Sequence, residues 1–298
     1  MKSGVSADKS EKLVYTHHMS SYERGSLWIN RIVIWIFMAC ALYPIIFIIG
    51  ASLSKGDAFF SDSIFPKQIT FGNYKALFDG SLGEDMNFGR SIINSLKLCI
   101  IVCIVQMFMT ATSAYAFSRM KFKGRKYGLM TLLIIQMFPM IMTVSAVYVM
   151  LIAIGGVDKI WVVALFLAGG SAFNIWLMKG FIDSLPIELD EAAMVDGATH
   201  WQVFTKIILP LARPMFAVIL LFVFIGAYSE FAISSAGLTD SANWTVAIQL
   251  EHFIDNAFNK HWTQFAAAAV VGSVPQVVLF LCLQRFIQGG LTAGAVKG

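Results

Sequence analysis

The chain has 298 residues, 57% of them hydrophobic and only 13% charged, and its mean hydropathy is +0.71. A soluble domain carries about 25% charged residues, so this composition excludes one and points to an all-α polytopic membrane protein with about six transmembrane helices. The formal net charge of +4 is small and dispersed, which argues against nucleic acid as a partner.

Residues 1–28 are polar, carry Lys2, Lys9, Lys12 and Arg24, and read as a cytoplasmic N-terminal tail. The first span is expected at 29–50, with Pro44 inside it. It is longer than the roughly 7–15-residue apolar core of a signal peptide, so it reads as an uncleaved span. A mixed loop follows at 51–90. The second span, 91–118, contains Asn94, Lys97 and Gln106; Lys97 lies near one end, where its ammonium can reach the interface. Arg119 to Lys126 is the densest basic cluster. The third span is read at 128–154 with Pro139 inside, and Gly155-Gly156-Val157-Asp158-Lys159 as a tight turn. The fourth, 160–178, contains Gly169-Gly170-Ser171, which allows close backbone approach. The fifth is read at 215–236, followed by a long polar loop at 237–263 and a sixth span at 265–286 containing Pro275. Residues 29–288 thus form one membrane domain, and 289–298 a second cytoplasmic tail. Cys40, Cys99, Cys103 and Cys282 lie inside apolar stretches with no accompanying His or acidic cluster, so they read as packing residues.

Basic residues orient the chain. With the N-terminus inside, fifteen Lys and Arg fall on the cytoplasmic side, against six in the outer loops (Lys55, Lys67, Lys75, Arg90, Lys159 and Lys260). The expectation is N-in and C-in, with the polar stretch at about 183–210 in the cytoplasm.

That stretch organises the chain. Ser184 is a candidate cap and Pro186 a candidate first-turn proline. Leu189, Ala192, Ala193 and Asp196 recur at helical spacing, behind the acidic Glu188, Asp190 and Glu191. Gly197 supplies the freedom to turn. Thr199 and Gln202 have capping-box spacing for a second helix, which carries Phe204, Ile207 and Ile208 on one side. Pro210 stops or bends it. The pattern is two short helices joined at a glycine.

Glu191-Ala192-Ala193, Gly197 four residues later, then nine residues and Ile207-Ile208-Leu209-Pro210, resembles the EAA loop of the membrane subunits of binding-protein-dependent ABC importers. In that family the loop is the coupling helix that docks on an ATPase subunit. Further stretches are similar to the maltose and oligosaccharide branch of the family. They are Ala114-Tyr115-Ala116-Phe117-Ser118-Arg119-Met120, Gln136-Met137-Phe138-Pro139, Phe265 to Ala269, and the ending Gly290 to Gly298. The resemblance covers about 29–298. It implies the type I importer permease fold in a bacterial inner membrane. It also implies ATPase docking at Glu191, Ala192, Ala193, Asp196, Gly197, Ala198 and Trp201, and a tail contact through Thr292, Ala293, Gly294 and Lys297. The partners it implies are a second permease subunit, a dimer of ABC ATPases, an extracytoplasmic solute-binding protein, membrane lipid and an oligosaccharide. The tip of the 237–263 loop, with Asn256, Phe258, Asn259 and Lys260, is the implied contact with the binding protein. The solute is open: maltodextrins lead, and acidic oligosaccharides such as alginate fragments, other plant or algal glycans and another small solute such as glycerol phosphate are the alternatives.

No Gly-x4-Gly-Lys-Ser/Thr loop occurs, so ATP and its Mg²⁺ are expected on a partner chain; no cofactor or metal is expected on this one, and no enzyme motif is present. A self-contained secondary transporter would show inverted repeats and paired intramembrane charges, and neither is visible. One intramembrane carboxylate stands out, Glu230, within Tyr228-Ser229-Glu230-Phe231. Charge at mid-membrane costs roughly 3 kcal/mol, so Glu230 should face protein or water. It reads either as a wall of the solute path, with Tyr228 and Phe231 as stacking surfaces, or as an interhelical clamp or interface residue.

Overall fold

The computed structural model describes residues 21–56, 66, 68–81, 87–255 and 261–295. Among these the chain is helix and turn, with one isolated bridge between Ser54 and Ile69. Two units are distinguished, residues 1–47 and 48–298.

The first unit is most of α1 (Ser21–Ser52). The helix starts inside the segment read as a tail. Within its apolar stretch, Ser26–Ser52, an 18-residue window has mean hydropathy 2.7, and residues 26–46 are exposed. A helix apolar all round needs lipid or another subunit for cover.

The second unit is organised on α3 (Phe88–Arg119), which follows the short α2 (Gly72–Ala76). At its start the Asn87 side chain caps the helix, accepting from Arg90 N at 3.0 Å. At its end the Arg125 guanidinium donates to Phe117 O (2.9 Å) and Ser118 O (2.7 Å), satisfying two of the carbonyls that a helix C-terminus leaves free. Gly124, at φ +92°, makes the turn that brings Arg125 back.

Three of the expected spans are broken rather than continuous. The third is α4 (Arg125–Gln136) and α5 (Met140–Ala153), parted at Pro139, which cannot donate to a helical ladder. The fourth is α6 (Ile160–Ala168) and α7 (Ala172–Asp183), bent by 51° at Gly169–Ser171. The polar stretch at 183–210 follows as α8 (Glu188–Val195), α9 (His200–Val203), a π turn (Phe204–Ile208) and α10 (Leu209–Leu211). In the π turn Leu209 N reaches back five residues to Phe204 O, and four-residue bonding resumes with Ala212 N to Ile208 O at 2.9 Å. The chain then bends by 78° into α11 (Arg213–Tyr228). The fifth span was expected to run through Ala236, but α11 stops at Tyr228. A short α12 (Ala232–Gly237) follows a break at Ser229–Phe231.

α13 (Val246–Asp255) and α14 (Trp262–Ala295) complete the unit, and α14 runs through the segment read as a C-terminal tail. α3 packs against α6, α7 and α11, and α11 against α14. Small residues allow this: Ala111, Ala114, Ala164, Ala217, Ala266, Ala267 and Ala268 are buried. The N-terminal end of α3 is tied to the 238–250 segment, where Asn94 donates to Ala242 O (2.9 Å) and Trp244 O (3.2 Å), and Ser91 to Gln249 Oε1 (2.9 Å). In the turn after α5, Gly155 (φ +61°) and Asp158 (φ +59°) reverse the chain, and the Asp158 carboxylate accepts from Asp240 N and Thr239 Oγ1.

Candidate functional site

Two sites stand at different levels of α3. The first is the stretch from Asp183 to Pro210. α8 has no side-chain cap; Ser184 instead donates to Phe181 O, which removes it as the expected cap, and Pro186 precedes the helix. The positive end of α8 is met by Glu188, Asp190 and Glu191. Its far end closes as a Schellman turn. Gly197 N donates to Met194 O (3.0 Å), Ala198 N donates to Ala193 O (2.9 Å), and Gly197 sits at φ +85°. Thr199 and Gln202 form the capping box: Thr199 N donates to Gln202 Oε1 (2.8 Å) and Gln202 N to Thr199 Oγ1 (3.3 Å).

One face of this turn is anchored. Val203, Phe204 and Ile208 are buried, and the Phe204 ring lies 5.1 Å from that of Tyr115 on α3. Asp190 is buried too, with its Oδ2 2.6 Å from Arg119 Nε at the last residue of α3. Arg119 also donates to Leu185 O (2.9 Å), and Ser118 donates to Asp183 Oδ1 (2.6 Å). The opposite face is open. Glu191, Ala192, Asp196, Gly197 and Trp201 are exposed, and Ala193 and Ala198 half-buried. Val195, at 88% exposure, and Trp201, at 62%, project large apolar groups outward. Sequence reading missed Val195, since periodicity cannot tell which side of so short a helix is covered. It also missed Asp190 as an anchor, because its partner is 71 positions away.

The second site is a cavity of about 540 Å³ among the spans. Its polar wall is Gln106, Gln136, Asn174 and Glu230, and its apolar wall includes Phe173 and Phe222. The amides serve the broken helices. Gln106 donates to Leu167 O (3.1 Å), Gln136 donates to Gly170 O (3.2 Å), and Gln136 Oε1 accepts from Phe173 N (3.0 Å). Backbone groups freed at a break inside a bilayer must find such partners. Asn174 donates on to Gln106 Oε1 (3.3 Å).

Glu230 occupies the break between α11 and α12. Its carboxylate accepts from Ile233 N (2.7 Å), Ser234 N (2.9 Å) and Ser234 Oγ (2.6 Å). It therefore caps α12 and also lines the cavity, and these three bonds stay within its own segment. Tyr228 does not line the cavity. It is 5% exposed and stacks on Phe224 with centroids 5.6 Å apart. Phe231 is partly exposed and also lies outside the cavity wall. Thr292, Ala293 and Gly294 lie on α14, while Lys297, Asn256, Phe258, Asn259 and Lys260 lie outside the described residues. Among the described residues no group of three His, Cys, Asp or Glu gathers to hold a metal.

Residues 106–292, well over half the chain, match the family model described as binding-protein-dependent transport system inner membrane component. The chain belongs to that family. Curated relatives of the permease are sugar transport subunits. It is 38% identical over 264 residues to the galactooligosaccharides transport system permease protein GanQ of Bacillus subtilis (strain 168), covering 88% of this chain and 93% of GanQ. The maltodextrin transport system permease protein MdxG of the same strain is 34% identical over 275 residues, covering 91% and 97%. The maltose/maltodextrin transport system permease protein MalG of Escherichia coli (strain K12) is 33% identical over 292 residues, covering 93% and 97%. Among solved structures, the permease matches a chain of a bacterial ABC transporter involved in import of the acidic polysaccharide alginate. The TM-score is 0.73 at 24% identity, over 90% of the permease and 98% of that chain. That likeness fixes the fold, the type I importer permease.

Proposed function

We propose that this permease forms, with a second, MalF-like permease subunit, the membrane path of an ATP-driven importer for a neutral oligosaccharide. The observation that carries the reading is the rigid stretch at 183–210. It is pinned on one side by buried groups and presents Val195, Trp201 and the small Ala192 and Gly197 on the other. Exposed bulky apolar groups on a turn this well fixed are what a docking surface requires. Its occupant is an ATPase dimer, which brings ATP and Mg²⁺; this chain is non-catalytic. The basic-residue asymmetry supports N-in and C-in, and so a cytoplasmic coupling loop. The outer loop, with Asn256 to Lys260, meets an extracytoplasmic binding protein, and the C-terminal residues Thr292, Ala293, Gly294 and Lys297 meet the ATPases.

The relatives named for galactooligosaccharides and maltodextrins support the substrate class. So does the cavity wall, which has three carboxamides and one carboxylate and no Lys or Arg. Hydroxyl-rich neutral sugars suit that lining, and a polyuronate would meet Glu230 without a compensating cation.

The experiment is purification of the tagged permease with its operon partners, then uptake of galactotetraose, maltotetraose and alginate tetramer by proteoliposomes holding the complex. The reading expects a co-purifying ATPase and ATP-dependent uptake of a neutral sugar. A permease that purifies without an ATPase, or that transports with no ATP requirement, overturns it.

A further inference from the structure

We infer that the buried Arg119–Asp190 pair is the joint through which movement of the 183–210 stretch reaches the cavity wall. The inference rests on the importer reading above and adds residues that positions 191–201 do not contain. Among the described helices, α3 touches every functional level. Its last residue holds Asp190, and Gln106 and Val102 line the cavity. Asn94 and Ser91 hold the opposite loop. From Arg119 to Gln106 is about 20 Å along the axis, at roughly 1.5 Å per residue.

The joint is built for rigidity. The two side chains are 8% and 3% exposed, and their charged atoms are 2.6 Å apart. Neither carboxylate oxygen of Asp190 receives an aligned hydrogen bond, so the contact is electrostatic, in a site from which water is excluded. The second Arg119 bond, to Leu185 O, fixes the guanidinium against the entry to α8. Asp183, held by Ser118 and Lys179, adds a parallel tie four residues along α7 from Lys179. When the turn around Gly197 is displaced, α8 cannot shift without carrying the end of α3. Gln106 then moves against Leu167 and Asn174, at the break that opens on the cavity.

The test uses the reconstituted complex with its ATPases, in a background without native cysteines and with Phe173→Cys as reporter, a half-exposed position on the cavity wall beside Asn174 that leaves the Gln106 contacts in place. The readout is the rate of labelling by N-ethylmaleimide without nucleotide and after trapping with ATP, Mg²⁺ and vanadate. With the pair intact, the two rates should differ about tenfold. Asp190→Asn should bring the ratio to within about twofold of one, at normal yield of assembled complex. Because that variant leaves Arg119 buried and unpaired, the double variant Arg119→Met/Asp190→Leu is measured beside it; it removes both charges and should give the same collapsed ratio. A wild-type ratio in either variant overturns the joint, since a pair that only stabilised the fold would alter yield and not the ratio. If the pair-intact complex takes up sugar with ATP yet shows no change on trapping, the joint is overturned and the importer reading stands; if it neither holds an ATPase nor transports, the importer reading itself fails.

Discussion

The turn at Gly197 permits a graded test, because its geometry separates strain from collision. The residue sits at φ +85°, and a Cβ built there meets nothing within 4 Å in this chain. Any substitution effect within the chain is therefore conformational. An L-residue in the left-handed region costs about 1–2 kcal/mol, Asn costs less, and a β-branched residue costs more. The turn can relieve that strain by opening. It then loses only the bonds from Gly197 N and Ala198 N, whose acceptors at Met194 and Ala193 can turn to water. If about 1–2 kcal/mol is set against the closed form, its population relative to open forms falls about 5- to 30-fold for Gly197→Ala. Apparent ATPase affinity falls with the fraction still closed. The expected order of ATPase retention is Gly, then Asn, then Ala, then Val. The assay is titration of purified ATPase onto the solubilised permease pair, with sugar uptake measured in parallel. Insertion and pairing should be unchanged, since the turn lies outside the apolar core. Wild-type affinity and uptake in the Gly197→Val variant would refute the coupling assignment. A Gly197→Asn variant as damaged as Gly197→Val would show that the partner surface, and not backbone strain, sets the requirement for glycine.

Further outcomes follow from other contacts. Glu230→Gln keeps one acceptor but turns an amide N–H₂ toward the donors of Ser234, at a cost of about 1–3 kcal/mol. Uptake should fall with complex yield near normal, and equal loss of both would assign Glu230 to folding alone. At Gly237 an added Cβ would lie 2.9 Å from both Leu151 Cδ1 and Val163 Cγ2. Gly237→Ala should therefore destabilise the α5–α6–α12 packing by about 1–3 kcal/mol, read as a lower thermal midpoint of the purified complex. In a background without native cysteines, Asn243→Cys should react with an impermeant thiol reagent added outside sealed cells, and Lys123→Cys should not. The reverse pattern would invert the topology.

The apolar stretches, their order and the two short helices at 188–203 were legible because each rests on local pattern: long apolar runs, a capping box and a glycine between periodic segments. The breaks were half legible. Pro139 and Gly169-Gly170-Ser171 stand in the sequence, but composition counts them into one span because apolar residues continue on both sides. The break at Ser229–Phe231 has neither proline nor glycine. It exists because Glu230 satisfies the N–H groups of a new helix, a side-chain role that hydropathy cannot register. Gln106 and Gln136 were visible as polar residues in spans, yet their duty of meeting the backbone of α6 and α7 depends on which way each helix is rotated. Arg119 and Asp190 were each visible as charges, and only the fold makes them a pair.

The π turn at Phe204–Ile208 gives this part of the chain a tolerance to length that an unbroken α-helix lacks. It absorbs one residue more than an α-helical turn would. Losing a single residue there would restore ordinary four-residue bonding and leave the segments on either side close to their present phase, at the expense of the local seats of Phe204 and Ile208. The same loss within regular α-helix, as in α11, would rotate one side against the other by about 100°. A frame-preserving codon loss is therefore better borne at 204–208 than a few residues to either side, and the spacing between Gly197 and Pro210 can drift by one residue without parting Asp190 from Arg119.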